Sequence, residues 1–430
     1  MDYKQKYLKY KQKYLKLLRD QKGGQPFLID LQAKQAYLWL FAKNQRQLQF
    51  IFTGRSISPM PPLGNIRLND QHRLSLLAKG SLPVFLAFRL VGPGNQRLAK
   101  RIISRLHIVP PISPPTCVAT IRRHNRQVYS VAFHPTLPIL ATGSGDSTVK
   151  LWNCSNPQAP ILVANLKAHT EWVNSVVFHS TLPILVTSSF DNVKLWNYTD
   201  LQRPPTLVAT IEDTTGVGSV AFHPTLPLLA TLPLLATGSR DRIVKLWNCA
   251  IPEIPTLLIT IQTQHNDKIS SVSFHPTLPL LASGSYDRTV KLWNYSTSEN
   301  PTLVANLTDH IDLVNSVAFH PILPLLASSS NDKTIKLWNC LTPQNPPTLV
   351  ANLTGHNWQV LSVAFHPTLP LLASGSRDKT IKLWNCSNLQ NPTLIANLTD
   401  HTDDVLSVAF HLTLPLLAAG CNDSTIKLWR

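Results

Sequence analysis

Histidine, serine and aspartate, the residue types of a nucleophilic triad, occur together in this sequence at spacings that recur. One set consists of His356, Ser374 and Asp378, with Trp384 following the aspartate. In a hydrolase, such a set activates a single hydroxyl for attack on a carbonyl carbon. A nucleophilic site is normally built once, whereas this combination returns in several copies of a repeated phrase. The recurrence predicts a structural role, and we assign no catalytic residue.

Histidine and cysteine also recur, and both bind metals where they converge. One Phe-His pair per repeat spreads its imidazoles around the fold, so we expect a role in turns rather than in a metal site. Four cysteines follow a Trp-Asn pair at one place in different repeats, too far apart to bridge, which predicts free thiols. We find no cofactor signature, so we expect no cofactor and predict that the chain is not an enzyme. These residues are His134, His179, His223, His275, His320, His366 and His411, and Cys154, Cys249, Cys340 and Cys386.

The repeat itself indicates the elements that must position these residues. The run Val360–Phe365 precedes the phrase HPTLPLLASGSRDKTIKLWN, His366–Asn385, in which a Pro-bearing turn and a polar turn separate further apolar runs. With the upstream run Thr348–Leu353, each unit contains four short strands joined by turns. The repeat tryptophans are separated by 44, 51, 46, 45, 46 and 45 residues, a period typical of β-propeller blades. They are Trp152, Trp196, Trp247, Trp293, Trp338, Trp384 and Trp429.

The Gly-His pair or its variants, the polar turn with Asp and the following Trp resemble the WD-repeat family of β-propellers. The resemblance covers roughly residues 116 to 430 in seven tandem copies and implies an all-β, seven-bladed propeller. In that family the His, a Ser or Thr on the second strand, the turn Asp and the Trp share one hydrogen-bonded network. For the sixth unit this implies a network of His356, Ser374, Asp378 and Trp384. Leaving one such buried group unpaired costs about 1–3 kcal/mol.

Three units depart from the pattern. The third, over Glu212–Val220, has no His, and the seventh has Ala419 where Ser or Thr is expected, so both blades should be less tightly fixed. The second has four residues between Asp191 and Trp196, one fewer than the others, which predicts a shortened turn or an irregular strand. The third also contains a tandem copy, TLPLLATLPLLA over Thr225–Ala236, and either copy fits the strand.

A separate segment is expected to close the ring. TCVATI, Thr116–Ile121, is the first of the upstream runs and precedes the first complete set of three strands, while the sequence ends at Arg430 directly after the last repeat Trp. We predict that this segment becomes the outer strand of the seventh blade. The propeller would then span residues 115–430 and leave no open side to the ring.

Positions that vary among otherwise similar repeats indicate a surface. The residue before each turn Asp varies, as does a second group after the His. The resemblance places these positions on the narrower face, around the central channel, where family members commonly bind peptides and proteins. Because exposed Trp, Tyr, Phe and Arg often anchor interfaces, we predict a mixed aromatic and basic partner-binding face. Drift of unconstrained surface positions after duplication is the alternative. The predicted partner-binding residues are Arg126, Trp172, Phe190, Arg240, Lys268, Tyr286, Trp358 and Arg377.

Basic residues are concentrated before the propeller. Residues 1–115 contain 20 Lys+Arg and 4 Asp+Glu, net +16, whereas residues 116–430 contain 20 and 19, net +1. Within residues 1–22, tyrosines alternate at spacings of four and three, which predicts an amphipathic basic helix. This opening is similar to the Lys/Tyr/Leu-rich openings of giant DNA virus proteins. Residues 23–114 receive no fold and end in a Pro-rich linker. Nucleic acid and anionic membrane surfaces are candidate partners of this region.

The sequence as a whole favours a non-enzymatic scaffold or adaptor, a monomeric propeller that binds protein or peptide partners. One alternative is a nucleic-acid-associated factor tethered by the basic arm. The other is a substrate receptor of a ubiquitin ligase, because Leu82–Phe88 followed by a basic segment is similar to an F-box. No signal peptide is evident, and the most apolar window, Leu82–Val91, is too short to span a bilayer. We therefore expect an intracellular location, cytoplasmic or nuclear, or the host cytoplasm if the protein is viral.

Overall fold

The computed structural model describes residues 27–31, 36–40, 48–52, 114–199, 203–212, 215–224, 233–296, 301–340 and 346–430. The chain divides into two compact units, residues 1–108 and 109–430. The helix expected over residues 1–22 lies outside the described residues. Among the described residues we find no helix with the length and hydropathy needed to cross a membrane.

The first unit contains a three-stranded antiparallel sheet that the sequence analysis did not predict. Its strands follow chain order, and each pairs with the next. They are β1 (Phe27–Leu31), β2 (Ala36–Leu40) and β3 (Leu48–Phe52).

The second unit consists of seven four-stranded antiparallel sheets, which confirms the all-β, seven-bladed propeller. The first strands of successive blades contact each other in a closed cycle, so they lie innermost. These are β5 (Val128–Phe133), β9 (Val173–Phe178), β13 (Val217–Phe222), β17 (Ile269–Phe274), β21 (Val314–Phe319), β25 (Val360–Phe365) and β29 (Val405–Phe410).

The second and third strands form the middle of each blade. The second strands are β6 (Ile139–Ser144), β10 (Ile184–Ser189), β14 (Leu234–Ser239), β18 (Leu280–Ser285), β22 (Leu325–Ser330), β26 (Leu371–Ser376) and β30 (Leu417–Cys421). The third strands are β7 (Thr148–Asn153), β11 (Val193–Asn197), β15 (Ile243–Asn248), β19 (Val290–Asn294), β23 (Ile335–Asn339), β27 (Ile381–Asn385) and β31 (Thr425–Trp429).

The outer strand completes each blade. In blades one to six it follows the third strand in sequence, and in blade seven it comes from the start of the unit. The outer strands are β8 (Ile161–Lys167), β12 (Thr206–Ile211), β16 (Thr256–Gln262), β20 (Thr302–Leu307), β24 (Thr348–Leu353), β28 (Thr393–Leu398) and β4 (Cys117–Arg122).

Burial explains the composition of the second strand. Every residue of β26 is buried, because neighbouring blades cover both faces of the sheet. Buried and solvent-facing residues therefore do not alternate along this strand. Small residues let the blades approach closely: a Cβ on Gly375 would come 2.7 Å from Cγ1 of Val405 in the next blade. The outer strand β28 is more exposed and alternates. The sequence pattern therefore changes across the blade as solvent access changes.

The ring is closed by pairing between the two ends of the second unit. Strand β4 pairs antiparallel with β31, with Ile121 opposite Ile426. Thr116 and Arg430 exchange two backbone hydrogen bonds of 2.9 and 3.0 Å. The buried Ile121 side chain packs in the core of the closing blade.

A serine in each innermost strand joins neighbouring blades. Its hydroxyl oxygen accepts a hydrogen bond from a valine N–H of the following blade, at 3.1 to 3.5 Å, and the series returns from blade seven to blade one. An innermost strand has no partner on its channel side, so these serines satisfy N–H groups that the sheet leaves free. This set was not predicted from the sequence, although the serine is present in all seven copies. The serines are Ser130, Ser175, Ser219, Ser271, Ser316, Ser362 and Ser407.

Two irregularities of the repeat have structural counterparts. Strand β14 begins at Leu234, so the second copy of the duplicated hexapeptide forms the strand, while residues 225–232 lie outside the described part. In six blades the residue after the turn Asp has a positive φ, for example Lys379 at 66°. In blade two the turn is shorter: Ser189 N–H donates to the Asn192 carbonyl, and no left-handed residue is present in it.

Candidate functional site

The network implied for the sixth unit is present, and it holds the turn between the second and third strands. His356 Nδ1 donates to Asp378 Oδ2 at 2.8 Å, and Ser374 Oγ bonds His356 Nε2 at 2.7 Å. Trp384 Nε1 donates to Ser374 Oγ at 2.9 Å. The same connections occur at the turns of blades one, two, four and five.

The connectivity is that of an Asp-His-Ser catalytic triad, but its surroundings differ. Ser374 is fully buried, and its oxygen already accepts the indole N–H of Trp384. A nucleophile needs an open position beside oxyanion donors. This network therefore holds the turn in place and presents no nucleophile to solvent.

The carboxylate of the network is strongly anchored. Burial by itself would raise the pKa of Asp378, but hydrogen bonds from His356, Thr380 and the Asn357 backbone outweigh it and hold the pKa below its usual range. Asp378 Oδ1 also accepts from the Thr380 N–H and hydroxyl, at 3.0 and 2.6 Å. Each such turn is thus fixed through both carboxylate oxygens.

Blades three and seven lack the complete network. In blade three Trp247 Nε1 donates to Thr237 Oγ1 at 3.2 Å, and no histidine is present in the loop. In blade seven Ala419 occupies the Ser/Thr position, and three buried atoms have no partner among the described residues: both ring nitrogens of His401 and Nε1 of Trp429.

These turns and the loops that enter the innermost strands share one end of the ring, which we call the upper face. The residue before the turn Asp donates its backbone N–H to a loop carbonyl: Tyr286 to Lys268 at 3.1 Å, and Arg240 to Gly216 at 3.0 Å. Arg377 donates in the same way to Gln359. The two variable groups identified in the sequence therefore lie side by side.

Two of the predicted residues occupy a different position in the loop from the others. The carbonyls of Arg126 and Trp358 accept hydrogen bonds from Ser144 and Ser376, the last residues of the second strands. The carbonyl of Lys268 is instead bonded to the turn, one residue further along the loop. This offset can be read from the sequence, since Arg126 and Trp358 follow the loop histidine by two residues and Lys268 follows its own by three.

Aromatic side chains on the upper face form a continuous series across blades one to three. Tyr129 stacks on Trp172 with ring centroids 5.7 Å apart, and Trp172 contacts Phe190 at 6.3 Å. The Arg240 guanidinium lies 3.8 Å above the Phe190 ring. Trp172 remains 41% exposed, so a partner can reach it.

Cations and a fourth aromatic ring continue the series. Lys268 Nζ lies 4.2 Å from the Tyr286 ring centroid, and Arg377 Nε pairs with Asp404 at 3.3 Å. Burial raises the pKa of Tyr286, while the charges of Arg377 and Arg240 oppose the rise, so these cations lie near the phenol. The series therefore reaches blades four, six and seven.

Six of the eight predicted residues thus belong to this series. Arg126 lies near it, since its charge opposes the burial that raises the pKa of Tyr129. Trp358 is 58% exposed and forms no stacking or cation contact within the described part of the chain. Tyr129 was missed by the sequence analysis, although its position also varies among the repeats. The equivalents of Tyr129 are Asn174, Gly218, Ser270, Asn315, Leu361 and Leu406.

The Phe-His histidines lie in the turns between the first and second strands, at the opposite end of the ring. His366 Nδ1 accepts the backbone N–H groups of Thr368 and Leu369 at 3.2 and 3.0 Å. Five equivalents accept the same pair of bonds: His134, His179, His275, His320 and His411. A search of the described residues finds no group of three or more metal-ligating side chains.

Comparison with known families matches the propeller unit. The model of the WD domain, G-beta repeat, matches seven consecutive segments that together cover more than half of the chain. The matched segments are residues 115–153, 161–197, 205–248, 256–294, 301–339, 347–385 and 392–430.

Proposed function

Because this chain belongs to the WD-repeat family of β-propellers, we propose that it is a non-enzymatic scaffold or adaptor that binds protein or peptide partners on its upper face. The contact series Tyr129, Trp172, Phe190 and Arg240 is the observation that carries the proposal. These positions vary among the repeats, yet their side chains contact one another across three blades, which favours a binding surface over drift.

The chemistry of the face suits protein recognition. Aromatic rings provide large contact areas with few rotatable bonds, and arginine adds directional hydrogen bonds. In blades one, two, four, five and six the turns are fixed by the buried networks, so little ordering is needed there when a partner binds. A partner would therefore dock on a prearranged surface.

The test replaces four members of the face together. We expect full-length protein with Trp172→Ala, Tyr286→Ala, Trp358→Ala and Arg377→Ala to lose the partners captured by the natural sequence, while its melting temperature stays close to that of the natural protein. Partners would be compared by quantitative mass spectrometry after affinity capture from cells that express each variant.

A matched control removes exposed aliphatic side chains elsewhere on the ring. Ile251, Ile254 and Leu394 are 61%, 67% and 46% exposed, and their replacement by Ala should leave capture unchanged. If the fourfold variant retains its partners, the upper face is not the binding surface.

Other expectations stay predictions. The nucleic-acid interpretation rests on the Lys and Arg residues of residues 1–115, and the ubiquitin-ligase interpretation on Leu82–Phe88. All of these residues lie outside the described part of the chain. The likeness of residues 1–22 to viral openings, the cellular compartment and the monomeric state are also untested.

A further inference from the structure

Two cations on the upper face have no carboxylate partner among the described residues. Arg240 of blade three and Lys268 of blade four each lie over an aromatic ring, and neither forms an ion pair with a described carboxylate. Arg377 differs, since Asp404 neutralises it. Arg240 and Lys268 are close enough that the charge of Arg240, after burial, contributes to lowering the pKa of Lys268. The charge of Asp267 acts on the pKa of Lys268 in the opposite direction, but no ion pair forms between them. The two like charges therefore lie close together without an ion pair to a described carboxylate.

The neighbouring described carboxylates form no ion pair with either cation, and Asp213 of the blade-three loop lies outside the described residues. None of the seven residues before a turn Asp is acidic. In the adjacent loop position Asp404 is the one carboxylate among the described residues, and it already pairs with Arg377. Three loop carboxylates fold back on the backbone, because Asp267, Asp312 and Asp403 each accept the N–H of the next residue at 2.7 to 2.8 Å.

The aromatic rings leave the cations able to bind. A guanidinium stacked on a ring keeps its in-plane N–H groups available, and these match the two oxygens of a carboxylate. The Phe190 ring also excludes water from one side of Arg240, which strengthens an ion pair on the other side. Beside them, the partly exposed Trp172 offers an apolar surface.

We propose that the partner on this face is an acidic peptide segment, whose carboxylates pair with Arg240 and Lys268 while an apolar side chain packs on Trp172. This inference rests on the proposed function and specifies its ligand. It commits to carboxylate-bearing peptide, and phosphorylated peptide serves as a comparison in the test.

The experiment selects binders from a random peptide display library on the full-length protein. Selected sequences are then synthesised in three forms: unchanged, with every Glu and Asp changed to Gln and Asn, and with one acidic residue replaced by phosphoserine. Binding is measured by fluorescence anisotropy. We expect selected peptides to be enriched in Glu and Asp, and the amide forms to bind about tenfold or more weakly.

Variants of the protein test whether Arg240 and Lys268 cause the preference for acidic peptides. Arg240→Gln with Lys268→Gln should abolish the preference for the acidic over the amide form. Arg242→Gln with Arg288→Gln is the control, since it removes the same charge from exposed turn residues of the same two blades. That control should keep the preference.

The outcomes separate this inference from the proposed function. Peptides that require Trp172 but show no preference for acidic over amide forms would overturn the acidic ligand and leave the binding face intact. A preference retained in the Arg240 and Lys268 variant would overturn it as well. A selected phosphoserine form that binds far more tightly than the carboxylate form would assign the site to phosphorylated peptides instead. If no selected peptide depends on Trp172, the proposed function itself fails.

Discussion

At the residue scale, blade seven shows what one missing hydroxyl does. Ala419 lies opposite Lys427, as Ser374 lies opposite Lys382 in blade six. Without an oxygen at this point, Nε2 of His401 and Nε1 of Trp429 remain buried beside each other without hydrogen-bond partners among the described residues. Burial lowers the pKa of His401 to about 4, so the ring stays neutral near neutral pH.

We expect Ala419→Ser to stabilise the protein. The new hydroxyl would bond His401 Nε2 and Trp429 Nε1, as Ser374 bonds its own pair, and one buried hydrogen bond contributes about 1 kcal/mol. The free energy of unfolding should rise by about that amount in urea titrations. The control is Ala418→Ser, on the opposite side of the same strand in an apolar cluster, which should lower stability. Equal losses in both variants would contradict the prediction.

At the element scale, β4 determines whether the ring is closed. It supplies the outer strand of blade seven, and without it β31 would expose a sheet edge. Burying an aliphatic side chain such as Ile121 contributes about 1.5–3 kcal/mol, and the strand ladder adds to this.

Deleting residues 116–121 should therefore lower the melting temperature markedly, measured by differential scanning calorimetry on the full-length protein. An equally long deletion of residues 108–113 removes no part of the described ladder and serves as control. If the first deletion leaves the melting temperature unchanged, the ring does not depend on this strand.

At the whole-molecule scale, histidines and phenylalanines alternate around the ring. Each Phe-His histidine packs on the phenylalanine of the next blade, with centroids 4.7 to 5.2 Å apart, and His411 completes the circle on Phe133. Burial lowers the pKa of His134, His179, His223, His275, His320 and His366 to about 4. The pKa of His411 is also lowered by burial.

These histidines predict a loss of stability in mild acid. The unfolded chain takes up protons below the ordinary histidine pKa of 6.5, whereas the folded chain resists them until about pH 4. Stability is therefore greatest above pH 6.5 and falls as the pH drops towards 4. The network aspartates add to the loss only at lower pH, because their folded pKa values lie below 3.8.

Urea titrations at a series of pH values would show how steeply the free energy of unfolding falls as the pH drops from 6.5 to 4. His366→Asn keeps a neutral acceptor in the turn and removes one titrating group. The free energy of unfolding should then depend less steeply on pH, by up to the uptake of one proton on unfolding. A free energy of unfolding that stays flat between pH 6.5 and 4 would show that the turn histidines do not carry the effect.

The fold and part of the candidate site were predictable from the sequence, because comparing the repeats with one another indicates both. Seven copies with a constant period predict the blades, and the residues that differ among them indicate the upper face. Contacts between blades were not predictable in the same way. The stacking of Tyr129 on Trp172 and the position of Arg240 over Phe190 depend on side chains from different repeats that only the closed ring brings together. The sheet β1–β3 was missed because its strands lie outside the repeat.

The late pairing of β4 has a consequence for biosynthesis. Lys427 bonds Thr120 across a separation of 307 residues, so β4 leaves the ribosome long before its partner strand. At a synthesis rate of about 5–20 residues per second, this delay is roughly 15 to 60 seconds. During that interval six blades can form beside a strand that has no partner. The nascent chain is then most open to capture by chaperones, or to pairing with another polypeptide on the same polysome.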